Sequence, residues 1–113
     1  MAVTPKCIIN PVYLTTSYVQ YYLVNKGTTI IDKLTAYNNA ATYQTITINL
    51  VPSGGTLATA NRIINNFVIA PGETYEFSNI EGHVLNQGDS IYSLTNSATA
   101  AITIRCSGRE VAL

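Results

Sequence analysis

The sequence predicts an all-β protein: a single antiparallel β-sandwich, jelly-roll-like, preceded by an extended N-terminal arm. Two observations predict it. The segment YQTITINLV (residues 43–51) sets Ile46, Ile48 and Leu50 against Thr45, Thr47 and Asn49, the period-two pattern of a sheet with one wet face. The last third of the chain strings short apolar runs between glycine turns at Pro71-Gly72, Glu81-Gly82, Gln87-Gly88-Asp89 and Ser107-Gly108. Short strands at loop spacings of about eight to twelve residues argue a sandwich or barrel. The chain has 113 residues, 47% of them hydrophobic, the size of one domain with one core. It divides into an arm, residues 1–11, and a sandwich, residues 12–113.

In chain order, Pro5 and Pro11 disfavour helix and cannot donate within a central strand, while Ile8 and Ile9 need cover, so residues 1–11 read as an apolar arm that lies on its own domain or on a neighbour. Residues 13–24 (YLTTSYVQYYLV) are β-branched and aromatic, which suits a pleated, half-buried surface. Asn25-Lys26-Gly27 supplies a turn. Residues 28–37 read as a strand with Ile30, Asp32, Leu34 and Ala36 on one side and Ile31, Lys33, Thr35 and Tyr37 on the other. Asn38-Asn39 marks a turn or bulge, and residues 43–51 form the cleanest strand. Pro52-Ser53-Gly54-Gly55 is a loop. Residues 56–66 are ambiguous, because Leu57, Ala58 and Ala60 suit a short helical turn that asparagine and glycine weaken. Phe67, Val68 and Ile69 continue as a strand to Pro71-Gly72, a type II turn with proline second and glycine third. Residues 74–77, 84–85, 90–94 and 101–106 complete the series, with Ile102, Ile104 and Cys106 inward.

Charged residues make up only 11% of the chain, against about 25% in an average soluble domain. Six basic and six acidic residues cancel, without the basic cluster of a nucleic-acid binder. No run reaches the apolar length of a membrane span, and the N-terminus lacks a signal-peptide pattern, so the reading is synthesis in a cytoplasm without export. Cys7 and Cys106 then read as reduced, packed thiols, with a bond tying the first strand to the last as the alternative. Strand edges in a chain with so few charges lack one common guard against association, so much of the surface is expected to be covered by neighbouring subunits, the alternative being a monomer made soluble by threonine and asparagine.

The reactive side chains are sparse. His83 is the lone histidine, and a Ser90–His83–Asp89 arrangement lacks the strand-turn-helix context of a nucleophile elbow. Glu73, Glu76, Glu81 and Asp89 could pair for glycoside hydrolysis, but the chain has no tryptophan platform. Glu73 and Asp89 follow turn glycines, where acids cap loop N–H groups. Two distant cysteines and one histidine do not make a zinc site, and no phosphate-cradling glycine motif is present. No enzyme activity, metal or cofactor is expected. Of the eight tyrosines, Tyr13, Tyr18, Tyr21, Tyr22, Tyr37 and Tyr43 concentrate in the first half, and tyrosine suits interfaces and carbohydrate contacts. As strand neighbours, Tyr21 and Tyr22 are expected to face opposite ways.

The series Pro71-Gly72-Glu73, Gly82-His83-Val84-Leu85, Gly88-Asp89-Ser90-Ile91 and Ser107-Gly108-Arg109-Glu110 resembles small virion structural proteins of tailed bacteriophages. The resemblance covers about 40 residues near the C-terminus. It implies a non-enzymatic virion protein that decorates the capsid exterior and stabilises the shell, with the major capsid protein and copies of itself as partners. The alternative is a tail- or neck-associated protein or a receptor module contacting a glycan. Under either reading the interface candidates are Ile8, Ile9, Pro11, Tyr13, Tyr18, Tyr21 and Tyr22, with the arm docking across subunit boundaries.

Overall fold

The computed structural model describes residues 2–95 and 100–112. Among them run nine strands: β1 (Val3–Tyr13), β2 (Val19–Leu23), β3 (Thr28–Asn38), β4 (Gln44–Val51), β5 (Arg62–Ile69), β6 (Thr74–Glu76), β7 (Val84–Leu85), β8 (Ser90–Leu94) and β9 (Ile102–Val111). A single 3-10 turn, Thr59–Asn61, precedes β5. No described helix is long and apolar enough to cross a membrane. The strands form two sheets. Sheet I has the order β1-β9-β3-β6, with β7 beside the other half of β3, and sheet II has the order β2-β8-β4-β5. All pairings are antiparallel. This alternation of strands between sheets is the jelly-roll order, with β6 and β7 sharing one strand position.

The core between the sheets is aliphatic: Leu14, Ile31, Leu34, Ile46, Ile48, Ile69, Ile80, Ile91, Ile102 and Ile104 are fully buried with Phe77. One end is closed by rings. Phe67 lies 4.4 Å from Tyr75 and 5.4 Å from Phe77, centroid to centroid, which joins β5 of sheet II to the β6 side of sheet I. These spacings and the inclined planes suit the ring quadrupoles.

Bulges, which a strict two-residue period misses, decide which side chains enter the core. In β3 the register slips between Ile31 and Lys33 against consecutive β9 residues. Asp32 is the extra residue, so Ile31 and Leu34 both point inward while Asp32 and Lys33 are both exposed. Both expected groupings are thereby overturned: Ile31 shares the inner face with Leu34, while Ile30, opposite the exposed Arg109, does not. In β5 a slip places Asn65 and Asn66 opposite Thr47, and Asn66 takes a positive φ of 48°, a conformation asparagine tolerates better than most residues.

Turn chemistry follows the sequence closely, with one exception. Gly72 has φ +73° and Glu73 N donates to Ala70 O at 3.1 Å, the type II turn expected there. The Glu73 carboxylate accepts from Ala70 N at 2.9 Å, and Asp89 accepts from Ser53 N and Asn86 N, both at 2.9 Å. Ser107-Gly108, by contrast, is no turn: it lies inside β9. Gly108 is an inward position opposite Lys6 and Ile31, where a Cβ would collide with the Ile30 carbonyl oxygen and press on Ile8 Cδ1 at 3.3 Å. The outer face of β4 also departs from expectation. Thr47 and Asn49 are buried, not wet, because Asn49 Nδ2 donates to Ala58 O (3.2 Å) and Asn61 Oδ1 (2.7 Å) and so pins the segment before β5 over the sheet.

The residues expected to form an arm are extended but not separate from the sandwich: β1 runs through residue 11 and pairs along its length with β9. Replacing Gly108 with alanine is expected to destabilise the protein by about 2–3 kcal/mol through overpacking against backbone, read as a shift in the chemical-denaturation midpoint. A wild-type midpoint would show that β9 does not need a bare position there.

Candidate functional site

The seven residues singled out as interface candidates all lie on or beside β1 and β2, the edge strands on one side of the sandwich. Their exposures differ sharply. Ile8 and Ile9 are buried in the protein's own core, because the slip between Cys7 and Ile9 makes Ile8 an extra residue and turns two successive side chains inward. Tyr21 is the extra residue of a second bulge, between Gln20 and Tyr22, and both tyrosines pack against the core instead of facing opposite ways. Tyr18 is partly buried and donates to Asn49 Oδ1 at 3.2 Å. Pro11 and Tyr13 remain exposed. As a contact surface for another molecule, the set therefore loses Ile8 and Ile9 and keeps Pro11 and Tyr13.

Tyr22 closes the gap between the sheets. Its hydroxyl lies 2.8 Å from Thr29 Oγ1 and 3.0 Å from Glu110 Oε2, and Lys6 Nζ reaches the same carboxylate oxygen at 3.3 Å. With Glu110 ionised, the Tyr22 proton goes to the carboxylate and Thr29 donates to Tyr22. The chain of contacts joins β3, β2, β9 and β1. Burial pushes the Tyr22 phenol up, while the Thr29 bond pulls it down and the Glu110 charge adds to the rise. Beside the network lies an open cleft of about 370 Å³, lined by Thr4, Lys6, Tyr22, Leu23, Lys26 and Glu110 among others.

Two sides of the sandwich are edged in this way. β1 and β2 form one rim. β5, β6 and β7 form the other, where Phe67 and Tyr75 meet. Backbone protection at these edges comes from bulges, Pro5 and Pro11, and short strands. The side chains are another matter: Val3 and Tyr13 on β1, Val19 and Leu23 on β2, Val68 on β5 and Val84 on β7 are 37–55% exposed.

The cysteines face opposite ways. Cys7, partly exposed, stands opposite Ser107 on the outer side of sheet I, and its thiol lies 3.2 Å from Ile9 O. Cys106 is fully buried, and burial above all, with the Cys7 and Asp32 charges adding to it, pushes its thiol up to about 12. They are not bonded to each other.

The reactive groups do not converge. Ser90 Oγ donates to Gln20 Oε1 at 3.4 Å, and both Asp89 oxygens are taken by backbone amides. His83 and Asp89 only share a shallow hollow with Leu50, Pro52 and Ile63. Glu76 and Glu81 are neighbouring carboxyls near the edge of sheet I: proton sharing with Glu81, then the Lys33 charge, holds Glu76 down, and the same sharing pushes Glu81 up. Among the described residues no three His, Cys, Asp or Glu side chains gather as a metal site.

A feature not foreseen from the sequence lies on the outer face of sheet II: a groove of about 200 Å³ lined by Tyr18, Thr47, Arg62, Asn65, Asn66 and Leu94. Thr47 Oγ1 accepts from Asn66 N at 3.0 Å, and Arg62 Nη1 donates to Asn65 Oδ1 at 3.3 Å. Three strands and the loop before β2 supply these residues, so no local spacing advertises them.

No protein-family model matches the chain, and no curated protein matches it. Among solved structures, it is similar to a chain of the work stating that "Bacillus endospore appendages form a novel family of disulfide-linked pili", with a TM-score of 0.60. The match covers 98% of this chain and 89% of that one at 15% identity. That likeness supports the sandwich fold.

Two outcomes are expected from these placements. Tyr22→Phe leaves the fully buried Thr29 hydroxyl without its partner and should lower stability by about 1–2 kcal/mol, measured by urea unfolding beside wild type. Maleimide labelling of the native protein near pH 8 should modify Cys7 alone, with Cys106 reacting only on unfolding; labelling of Cys106 in the folded protein would contradict its burial.

Proposed function

We propose that this chain is a non-catalytic structural subunit that assembles head to tail with copies of itself, one rim of the sandwich meeting the opposite rim of the next copy. The observation that carries this reading is the pair of rims. Exposed apolar side chains sit on both: Val3, Tyr13, Val19 and Leu23 on the β1–β2 side, Val68 and Val84 on the other. Two different patches on opposite sides make a heterologous contact, which builds rings or open filaments instead of closed two-fold dimers. A net charge of zero sets little repulsion against it. A contact of about 800 Å² per partner would suffice for each joint.

The fold it shares with a pilus chain supports the same direction. The disulfide linkage named for those pili would need a surface thiol, and in this chain Cys7 is the partly exposed cysteine. Jelly rolls also serve as viral capsid domains. With the C-terminal resemblance to phage virion proteins, this favours a second reading, a capsid decoration protein whose rims bridge shell subunits on a virion.

The test uses two charged variants. Wild type at high micromolar concentration is expected to form filaments or rings in negative-stain images and fast-sedimenting species. Leu23→Lys blocks one rim and Val68→Lys the other, and each alone should be monomeric. Mixing the two should give heterodimers and nothing larger, because one intact rim of each kind remains. Monomeric wild type that co-sediments with undecorated phage shells and raises their heat resistance would replace self-assembly with decoration. Monomeric wild type that binds no shell would defeat both.

A further inference from the structure

We infer that the rims of neighbouring copies meet level, with Leu23 of one copy seated in the apolar hollow between β5 and β7 of the next. This rests on the head-to-tail reading and deepens it, because it names which parts of the two rims touch.

The hollow is a gap in the second rim. The β4–β5 ladder ends at Asn49–Arg62, so Leu50 and Val51 run past the edge strand of sheet II. Across the gap stand Val84 and Leu85 of β7, which belong to sheet I. Leu50, Pro52, Ile63, Val84 and Leu85 line about 310 Å³, ample for one aliphatic side chain, and Val84 is 54% exposed. Apolar surface of this kind gains by being covered.

Two observations name the occupant. The first is level. Leu85, Thr29, Glu110 and Thr4 stand in one row across sheet I. Leu23, Ser90 and Val51 stand in one row across sheet II. The cleft beside Leu23 and the hollow beside Leu85 therefore lie at opposite ends of the same rows. Copies joined there need no slide along their strands. The same joint brings Tyr13 to the far end of the second rim, because Tyr13, Thr103, Tyr37 and Thr74 share another row and Tyr75 meets Phe67 beside Val68.

The second observation is charge. The cleft carries Lys6 and Lys26 with one carboxylate, Glu110, and Lys26 forms no ion pair among the described residues. The hollow carries Asp89 beside His83, with no lysine or arginine in its lining. The Asp89 oxygens accept backbone amides, and each keeps a second lone pair. Seating Leu23 brings Lys26, in the turn after β2, toward Asp89. Apolar contact and opposite charge thus favour one register.

The experiment traps the joint as a disulfide. In a Cys7→Ser background, Leu23→Cys with Val84→Cys is compared with Leu23→Cys with Val68→Cys, each oxidised at pH 8 and run on a gel without reductant. Leu23 lies on the opposite rim from both valines, so either bond must join two copies, and it needs Cα atoms about 4.4–6.8 Å apart. The first pair is expected to give a ladder of covalent multimers, and the second to stay monomeric. In the otherwise unchanged chain, Lys26→Glu should raise the concentration needed for assembly by about twofold to fivefold, the scale of an exposed charge pair, and Lys26→Gln by less. If wild type forms rings or filaments while the second pair cross-links, or both pairs or neither do, the level joint is overturned and rim-to-rim assembly stands. Assembly of Lys26→Glu at the wild-type concentration overturns it as well. Wild type that stays monomeric defeats the assembly reading itself, and this inference with it.

Discussion

The pairing of β9 with both β1 and β3 is the constraint on which sheet I depends, because β1 and β3 do not pair with each other and the last strand of the chain fills the gap between the first and the third. Until residues 102–111 arrive, β1 has no ladder, and Ile8 and Ile9 have no core to enter. The inward positions of β9 show the tightness of the fit: Ile102, Ile104 and Cys106 are fully buried, and Gly108 stands where even a methyl group meets backbone. Closing contacts across nearly the whole chain is entropically late, so folding should be slow for a protein of this size. The Thr29–Tyr22–Glu110–Lys6 contacts then lock the closed sheet to its partner, using one residue from each strand around the open cleft.

Much of this architecture is legible in the sequence. The glycine turns at 72, 82 and 88 have the positive φ their spacing implies, and Glu73 and Asp89 cap loop amides as acids after turn glycines do. Period-two reasoning also locates β4. It fails at the bulges, since Asp32, Ile8 and Tyr21 are extra residues with no sequence marker, and each reverses the face of every side chain beyond it. Gly108 shows the complementary error: glycine signals a turn or a close approach equally well, and only the packing of Ile30 and Ile8 distinguishes them.

The groove was harder to foresee for a different reason. Tyr18, Thr47, Arg62 and Leu94 come from four separate parts of the chain, and only the order β2-β8-β4-β5 sets them side by side. Thr47 and Asn49 look like ordinary solvent-facing residues of an alternating strand. They become structural because the β5 bulge and the Thr59–Asn61 turn fold back over them and satisfy their polar groups. The outer faces of the two sheets consequently differ in chemistry. Sheet I carries the ion pairs of Asp32 with Arg109 and Lys33 with Glu76, exposed pairs that contribute little to stability, while among the described residues the sheet II groove holds amides beside a guanidinium and no carboxylate.

The edges reconcile two demands that oppose each other. A chain with so few charges and apolar residues on its edge strands would pair indiscriminately if those strands were long and flat. Here β6 and β7 are short, β1 carries Pro5 and Pro11, and β1, β2 and β5 are each broken by a bulge, so an incoming strand finds no continuous ladder to extend. Under the proposed assembly, association would therefore rest on side-chain fit between Val3, Tyr13, Val19 and Leu23 on one rim and the surface that complements them. Fit of that kind selects one partner geometry, whereas open backbone accepts any strand. If the chain assembles as proposed, bulged edges bearing apolar side chains would favour specific contact over aggregation and would put the specificity in the rims rather than in the ladders.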